Sequence, residues 1–309
     1  MTSARHIDFL SKRTLAFYFS GTLFLISLIS FVVKGLDLGI DFTGGSVYEM
    51  HYNQSVDLDK MRAALESEGF ADANLQHFGS SADVMIRLKP VENLSQKELS
   101  EKIVKVANAS QTQPGEMRRV EFVGPQVGDD LINDGGLALL FAFLGVMAYV
   151  SIRFEWKLSL GAIAALFHDT IITMGFFSVF GWEFDMTVLS AILALIGYSI
   201  NDTIVVYDRI RETVRTSRIK DSIHDIVNTA LNDTLSRTIL TSLTVFLTLL
   251  ALAFLGGKTI HGFAIAMLIG VVKGTYSSIY IASSLALSFG LSREDLMPPA
   301  KDNVVDDMP

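Results

Sequence analysis

Three charged residues interrupt the long apolar stretches of this 309-residue chain: Asp169, Asp202 and Lys273. A charge placed in hydrocarbon costs about 2.5–3.5 kcal/mol on the lower, insertion-based scale, so such groups face a protein interior or water. They mark ion pathways or buried pairs. Asp202 follows Asn201 and lies sixteen residues after Met186, ~24 Å along a helix. Arg237 opens a later apolar run at a similar level. Paired with Arg237, the Asp202 carboxylate stays ionised; parted from it and from water, the neutral acid is favoured. A carboxylate that alternates between the two environments takes up and releases a proton. A static Asp–Arg pair would only pin two helices together. Asn201 and Ser199, with Thr238, Thr241 and Ser242 on the next helix, are the hydrogen-bond partners on offer.

His168 and Asp169 sit near the middle of another apolar run. Adjacent residues diverge by about 100° on a helix, so the two side chains are not expected to point along one line. His168 reads either as a helper in the same polar pocket or as a partner of a backbone carbonyl. Lys273 neutralises one of the aspartates or snorkels, and its place mid-run favours the pair. Gly270, Gly274 and Ser278 repeat at four-residue spacing. That pattern marks a helix seam, inside the chain or against another subunit.

Elements of membrane length must position these groups. The chain is 50% hydrophobic and 19% charged, with a mean hydropathy of +0.40, whereas soluble domains carry ~25% charged residues. About 20 apolar residues cross the hydrocarbon. Six runs qualify or nearly do: Ala16–Val33, Leu137–Ile152, Leu158–Phe180, Met186–Val206, Thr238–Leu255 and Gly262–Phe289. The second is short and is expected to extend toward Gly135. No cleavage pattern follows the first, which reads as an uncleaved anchor. Basic residues crowd the N-terminus, the second loop (Arg153, Lys157) and the fourth loop (Arg209, Arg211, Arg215, Arg218, Lys220). The positive-inside rule then places both termini in the cytoplasm and residues 34–135 outside.

The resulting organisation is a cytoplasmic N-terminus at 1–14, a first span at 15–33, an external domain at 34–135, five further spans within 136–289, and a cytoplasmic tail at 290–309. The external segment holds 17 acidic and 10 basic residues, so most of the net charge of −8 lies there. VYEMHY alternates like a strand, and Asp57 caps an amphipathic helix that ends near Phe70. NLQHFG and DVMIRL form a hairpin, Ser95 and Glu98 open a second helix as a capping box, and RRVEFV closes the set. The order β-α-β-β-α-β predicts a small α+β, ferredoxin-like domain. Within the cytoplasmic loop 207–237, Ile219, Ile223, Ile226, Val227, Ala230 and Leu231 recur at helical spacing. They form an amphipathic helix on the membrane face or a hairpin packed on neighbouring helix ends.

Several classes are excluded. The acidic balance argues against nucleic acid, and the absence of cysteine removes disulfides, thiol catalysis and cysteine-ligated metal. There is no phosphate loop, HExxH or GxSxG. No metal, cofactor or enzymatic activity is expected; the coupling ion would be the proton.

Seven blocks carry a family resemblance: LGIDFTGGSVYEM, FVGPQVG, IRFEW, LFHDTIIT, GYSINDTIVVYDRIRET, SRTILTSLT and GTYSSIYIAS. Together they span roughly residues 10–290 and resemble the SecD/SecF family of protein-export subunits, a branch of the resistance-nodulation-division superfamily. The resemblance implies one six-span half whose SecD-type partner supplies the other, in the bacterial inner membrane. It further implies an accessory role beside the SecYEG channel, with YajC as a further companion, in which the proton-motive force helps preproteins complete translocation. On this reading Asp202 is the membrane carboxylate and Arg237 its positive partner. Gly39, Asp41, Gly44 and Gly45 shape the turn joining the first span to the external domain. A half of a secondary exporter for small molecules or lipids is the alternative; such exporters usually carry far larger external domains. A passive structural subunit is a third reading.

Overall fold

The computed structural model describes residues 6–91, 94–218 and 221–297. Arg5, Ile219, Lys220 and most of the tail named above lie outside the described residues. The elements in chain order are α1 (Arg13–Val33), β1 (Asp37–Leu38), α2 (Ile40–Thr43), β2 (Gly45–His51), α3 (Leu58–Ser67), β3 (Asn74–Phe78), β4 (Ser80–Leu88), α4 (Gln96–Ala109) and β5 (Glu116–Val123). There follow α5 (Pro125–Arg153), α6 (Trp156–Phe180), β6 (Glu183–Phe184), α7 (Met186–Thr216), α8 (Ile223–Leu255), α9 (Lys258–Ser277), α10 (Ser283–Ser288) and α11 (Arg293–Leu296). Between α9 and α10 the helix widens to π geometry over Ser278–Ala282.

The chain divides into two compact units. The helical unit comprises Met1–Leu36, Leu139–Trp182 and Thr187–Pro309. Among the described residues, six helical stretches are long and apolar enough to cross a membrane. The chain is a multi-pass membrane protein. Its second long helix begins at Pro125, well before Gly135, because the acidic turn Asp129–Asp134 is itself helical and continues into the apolar run. The expected loop 207–237 is helical over most of its length: α7 runs beyond its apolar run to Thr216, and α8 begins at Ile223, before its own apolar run. Ser222 caps α8 by accepting from the Asp225 N–H. Ile210, Val214, Ile226, Val227, Ala230 and Leu231 are all buried in one cluster. The chain start docks there too, with Asn228 and Asn232 side chains bonding the Ile7 and Phe9 backbone.

The sheet unit comprises Asp37–Ala138 and Glu183–Met186. Its four-stranded sheet has the order β3-β4-β2-β5, every neighbouring pair antiparallel. Alternation puts Tyr48, Met50, Val84 and Ile86 into a core with Met61 and Leu65 of α3 and Leu99 and Ile103 of α4. The caps form as the sequence requires: Asp57 accepts from the Asp59 and Lys60 N–H groups, and Ser95 and Glu98 cap reciprocally. A separate two-stranded parallel ladder pairs β1 with β6.

Candidate membrane carboxylate site

The helical interior holds two aspartates in contrasting settings. Asp169 on α6 is fully buried. Its Oδ2 accepts from Ser277 Oγ on α9 at 2.5 Å and from Ser199 Oγ on α7 at 2.7 Å. Its Oδ1 lies 2.9 Å from His168 Nδ1. The expected divergence of His168 and Asp169 is therefore corrected: the backbone separates them, but rotation about the side-chain bonds brings ring and carboxylate together. His168 is buried as well, and its Nε2 has no hydrogen-bond partner among the described residues. Three helices thus meet on one carboxylate.

Asp202 on α7 is 4% exposed, yet among the described residues its hydrogen-bond contact is a single long one, 3.4 Å from Ser242 Oγ on α8. Ser242 is itself engaged, 2.7 Å from Thr275 Oγ1 and 3.3 Å from Tyr198 OH. Arg237 lies exposed on α8 and, among the described residues, makes no ion pair within 4.0 Å. The structure does not bring Asp202 and Arg237 together as a contact pair. Asn201 is exposed and bonds neither aspartate. Thr241 bonds backbone oxygens of its own helix, and Thr238 Oγ1 is buried without a hydrogen-bond partner among the described residues. Of the partners offered from sequence, Ser242 serves Asp202 and Ser199 serves Asp169.

Lys273 also departs from expectation. It is 8% exposed and, among the described residues, forms no ion pair within 4.0 Å. Its Nζ lies 4.9 Å from the Phe19 ring centre and 5.5 Å from that of Tyr276. Two aromatic faces lie against the cation, and the Asp169 charge acts on it from beyond 4.0 Å. Tyr276 is fixed by donating to the Ala16 carbonyl at 2.9 Å.

The glycines explain how α9 comes close enough to α7. A Cβ on Gly270 would stand 2.4 Å from Leu195 Cδ1, and one on Gly274 would touch the Ser199 side chain at 3.4 Å. This seam lies inside the chain. Ser278, fully buried, begins the π segment, and its carbonyl accepts from Ser283 Oγ. Sequence reasoning missed Ser277, Thr275 and Tyr198 as site residues. Their signal was present, since hydroxyls within an apolar run need partners.

The junction residues belong to the sheet unit. Gly39 immediately precedes the short helix α2, Asp41 lies within it, and Gly44 and Gly45 follow it with φ of +66° and +120°. A Cβ on Gly45 would stand 2.2 Å from the Leu88 carbonyl oxygen. Only glycine fits there.

With this geometry established, comparison with known proteins is decisive. Residues 103–292 match the family model described as "Protein export membrane protein SecD/SecF, C-terminal", and residues 29–56 match the "SecD/SecF GG Motif". The chain belongs to the SecD/SecF family. It is 46% identical over 299 residues to the protein translocase subunit SecF of Vibrio alginolyticus, covering 97% of this chain and 95% of that one. It is 45% identical over 304 residues to SecF of Pseudomonas aeruginosa, covering 98% of each. The crystal structure of Thermus SecDF, described as a translocon-associated membrane protein, matches with a TM-score of 0.83 at 33% identity. That match covers 94% of this chain but 40% of the SecDF chain. A SecDF structure in a super-membrane-facing form matches with a TM-score of 0.66 at 32% identity, covering 94% of this chain and 39% of that one. Asp169, Asp202 and the seam glycines all lie within the matched C-terminal region, while Gly39 to Gly45 lie within the GG motif.

Proposed function

We propose that this SecF-type chain is one half of a proton-motive-force-coupled accessory to Sec protein export, with Asp202 as its coupling carboxylate. The observation that carries this reading is the sparse contact of Asp202: a buried carboxylate with, among the described residues, one 3.4 Å hydroxyl contact and no cation within 4.0 Å. A buried charge without a partner is strongly unfavourable, so an ionised state calls for a cation and a separated state for a proton. Arg237 on the neighbouring helix is the cation that completes the first state. The cycle alternates between the two, and the coupling ion is the proton.

A SecD-type partner supplies the other half, consistent with the 40% share of the SecDF chain that this chain covers. The assembly works beside the SecYEG channel, with YajC as a further companion, on translocating preproteins in the bacterial inner membrane. Loop charges place both termini in the cytoplasm and the sheet unit outside. The strand order β3-β4-β2-β5 with a helix after the first and third strands supports a ferredoxin-like reading of that unit. Each proton falling through ~150–200 mV releases about 3.5–4.6 kcal/mol. That is enough to shift a two-state equilibrium by about two to three decades in population.

The test is preprotein translocation into proton-energised vesicles that contain the full chain and its partner. Asp202→Asn is expected to remove the gradient-dependent increment while leaving the gradient-independent rate. Retention of the full increment overturns the coupling assignment. Isolation of an active complex of identical chains alone overturns the need for a SecD-type half.

A further inference from the structure

The segment just before α7 packs as part of the sheet unit. Glu183–Met186 groups with Asp37–Ala138, whereas Trp182 and Thr187 on either side group with the helices. Few residues produce this. β6 pairs with β1, Glu183 beside Asp37 and Phe184 beside Leu38, and the Gly39 N–H donates to the Phe184 carbonyl at 2.9 Å. Phe42 of α2 stacks on Phe184 with ring centres 6.0 Å apart. The approach is close at Gly39, where a Cβ would stand 3.0 Å from Glu183 Oε1 and 3.1 Å from Asp185 Cβ.

Two side chains then fasten the segment. Arg87 stands on β4, and its Nη1 lies 3.1 Å from Asp37 Oδ1 while its Nη2 lies 2.5 Å from Glu183 Oε2. The guanidinium side chain is 11% exposed. The planar, permanently charged guanidinium stands between two carboxylates, donating a hydrogen bond to Asp37 and pairing by charge with Glu183. Asp41 Oδ2 accepts from the N–H of Met186, the first residue of α7, at 2.9 Å. It thereby satisfies a helix-end donor.

The surroundings of Glu183 show why the fork matters. Burial pushes the Glu183 carboxyl above the usual carboxylate range, Arg87 opposes that shift, and Asp185 and Asp37 add to it. Without Arg87, three carboxylates would face one another and the ladder would lose its binding charge. The residues from Gly181, with φ +64°, to Asp185 would then be a short tether that absorbs motion.

We infer that Arg87 and Asp41 are positioning residues that make the first turn of α7 move with the sheet unit. Displacement of the helix carrying Asp202 is thereby delivered to the sheet through the Arg87–Asp37–Glu183 clasp and the Asp41 cap. The inference rests on Asp202 as the coupling carboxylate, and the experiment separates the two. Preprotein translocation is measured in vesicles containing the full chain with its partner, with and without a proton gradient. Arg87→Gln is expected to lower the gradient-dependent increment about fivefold, and Arg87→Lys to restore part of it. The gradient-independent rate, the amount of subunit in the membrane and the copurifying partner stay unchanged. A full increment in Arg87→Gln overturns the clasp, as does an equal fall in both rates or in partner recovery. Should Arg87→Gln fail to accumulate, Asp41→Ala carries the test against Asp41→Asn, which keeps a capping oxygen. Loss in the first with rescue in the second supports the inference, and equal behaviour overturns it. Asp202→Asn run in parallel assigns the failure. If it keeps the increment, the coupling reading falls; if it loses the increment while Arg87→Gln keeps it, only the clasp falls.

Discussion

Asp169 and Asp202 are the same residue type, buried in the same set of helices, and their surroundings differ in almost every respect. Asp169 collects two serine hydroxyls and a histidine at 2.5–2.9 Å from its own helix and two others. Asp202 has a single hydroxyl at 3.4 Å, and that hydroxyl is already shared with Thr275 and Tyr198. A carboxylate whose acceptor sites are filled by short bonds is a fixed point, because moving any one helix breaks several bonds together. A carboxylate with one long contact can exchange partners at little cost. Burial alone therefore does not distinguish the two carboxylates; the number and length of their contacts do.

The comparison is most sharply broken by truncating each carboxylate in turn. Asp169→Ala leaves His168, Ser199 and Ser277 without their shared acceptor, and breaking a buried charged network costs about 3–5 kcal/mol. The expected outcome is a large fall in thermal stability in detergent, with poor accumulation of the chain. Asp202→Asn is expected to do the reverse. It changes stability by only about 1 kcal/mol, yet removes the gradient-dependent part of translocation. If both variants destabilised alike, the distinction between fixed and working carboxylates would be wrong.

Ser277→Ala and Ser199→Ala probe the fixed site one bond at a time. Each is expected to cost about 1–2 kcal/mol, and the double variant less than the sum, since the two hydroxyls share one oxygen. A denaturation series on the two single variants and the double checks this. Lys273→Met tests whether the buried cation belongs to either aspartate. Its two ring contacts are worth about 1 kcal/mol, so a modest loss of stability with an intact gradient-dependent increment is expected. Loss of the increment would return Lys273 to the role of counter-charge.

The sequence disclosed the long helices through the length of their apolar runs, and the sheet unit through alternation and two correct caps. The two membrane aspartates stood out because charge is rare in such runs. What the sequence hid was pairing in space. Ser199 lies three residues before Asp202 and reads as its neighbour, but the helix turns it toward Asp169. Lys273 suggested an ion pair because charge attracts charge, whereas Phe19, distant in sequence, supplies a ring face. The extension of α7 and α8 beyond their apolar runs was obscured by the many charges of residues 207–237. Glu212, Arg215, Asp225 and Asp233 are exposed while Ile210, Val214 and Val227 face inward. Arg87, Asp37 and Glu183 are far apart in the chain and carry no local signal at all.

A third aspartate gives the smallest effect and isolates hydrogen bonding from burial. Asp57 is solvent-exposed and caps α3, and the backbone N–H of Lys60 is the main cause holding its carboxyl below the usual range. A carboxyl lowered in the folded state stabilises above its unfolded value of about 3.9, and that contribution fades as pH falls through the folded value. Amide exchange over α3 is therefore expected to quicken selectively as pH drops below about 4, after correction for intrinsic rates. Asp57→Asn keeps a capping oxygen but cannot titrate, so its protection should stay level over the same range. Equal acid sensitivity in both chains would mean that partner geometry at Asp57 does not govern its ionisation. Counting bonds would then be too weak a basis for separating Asp169 from Asp202.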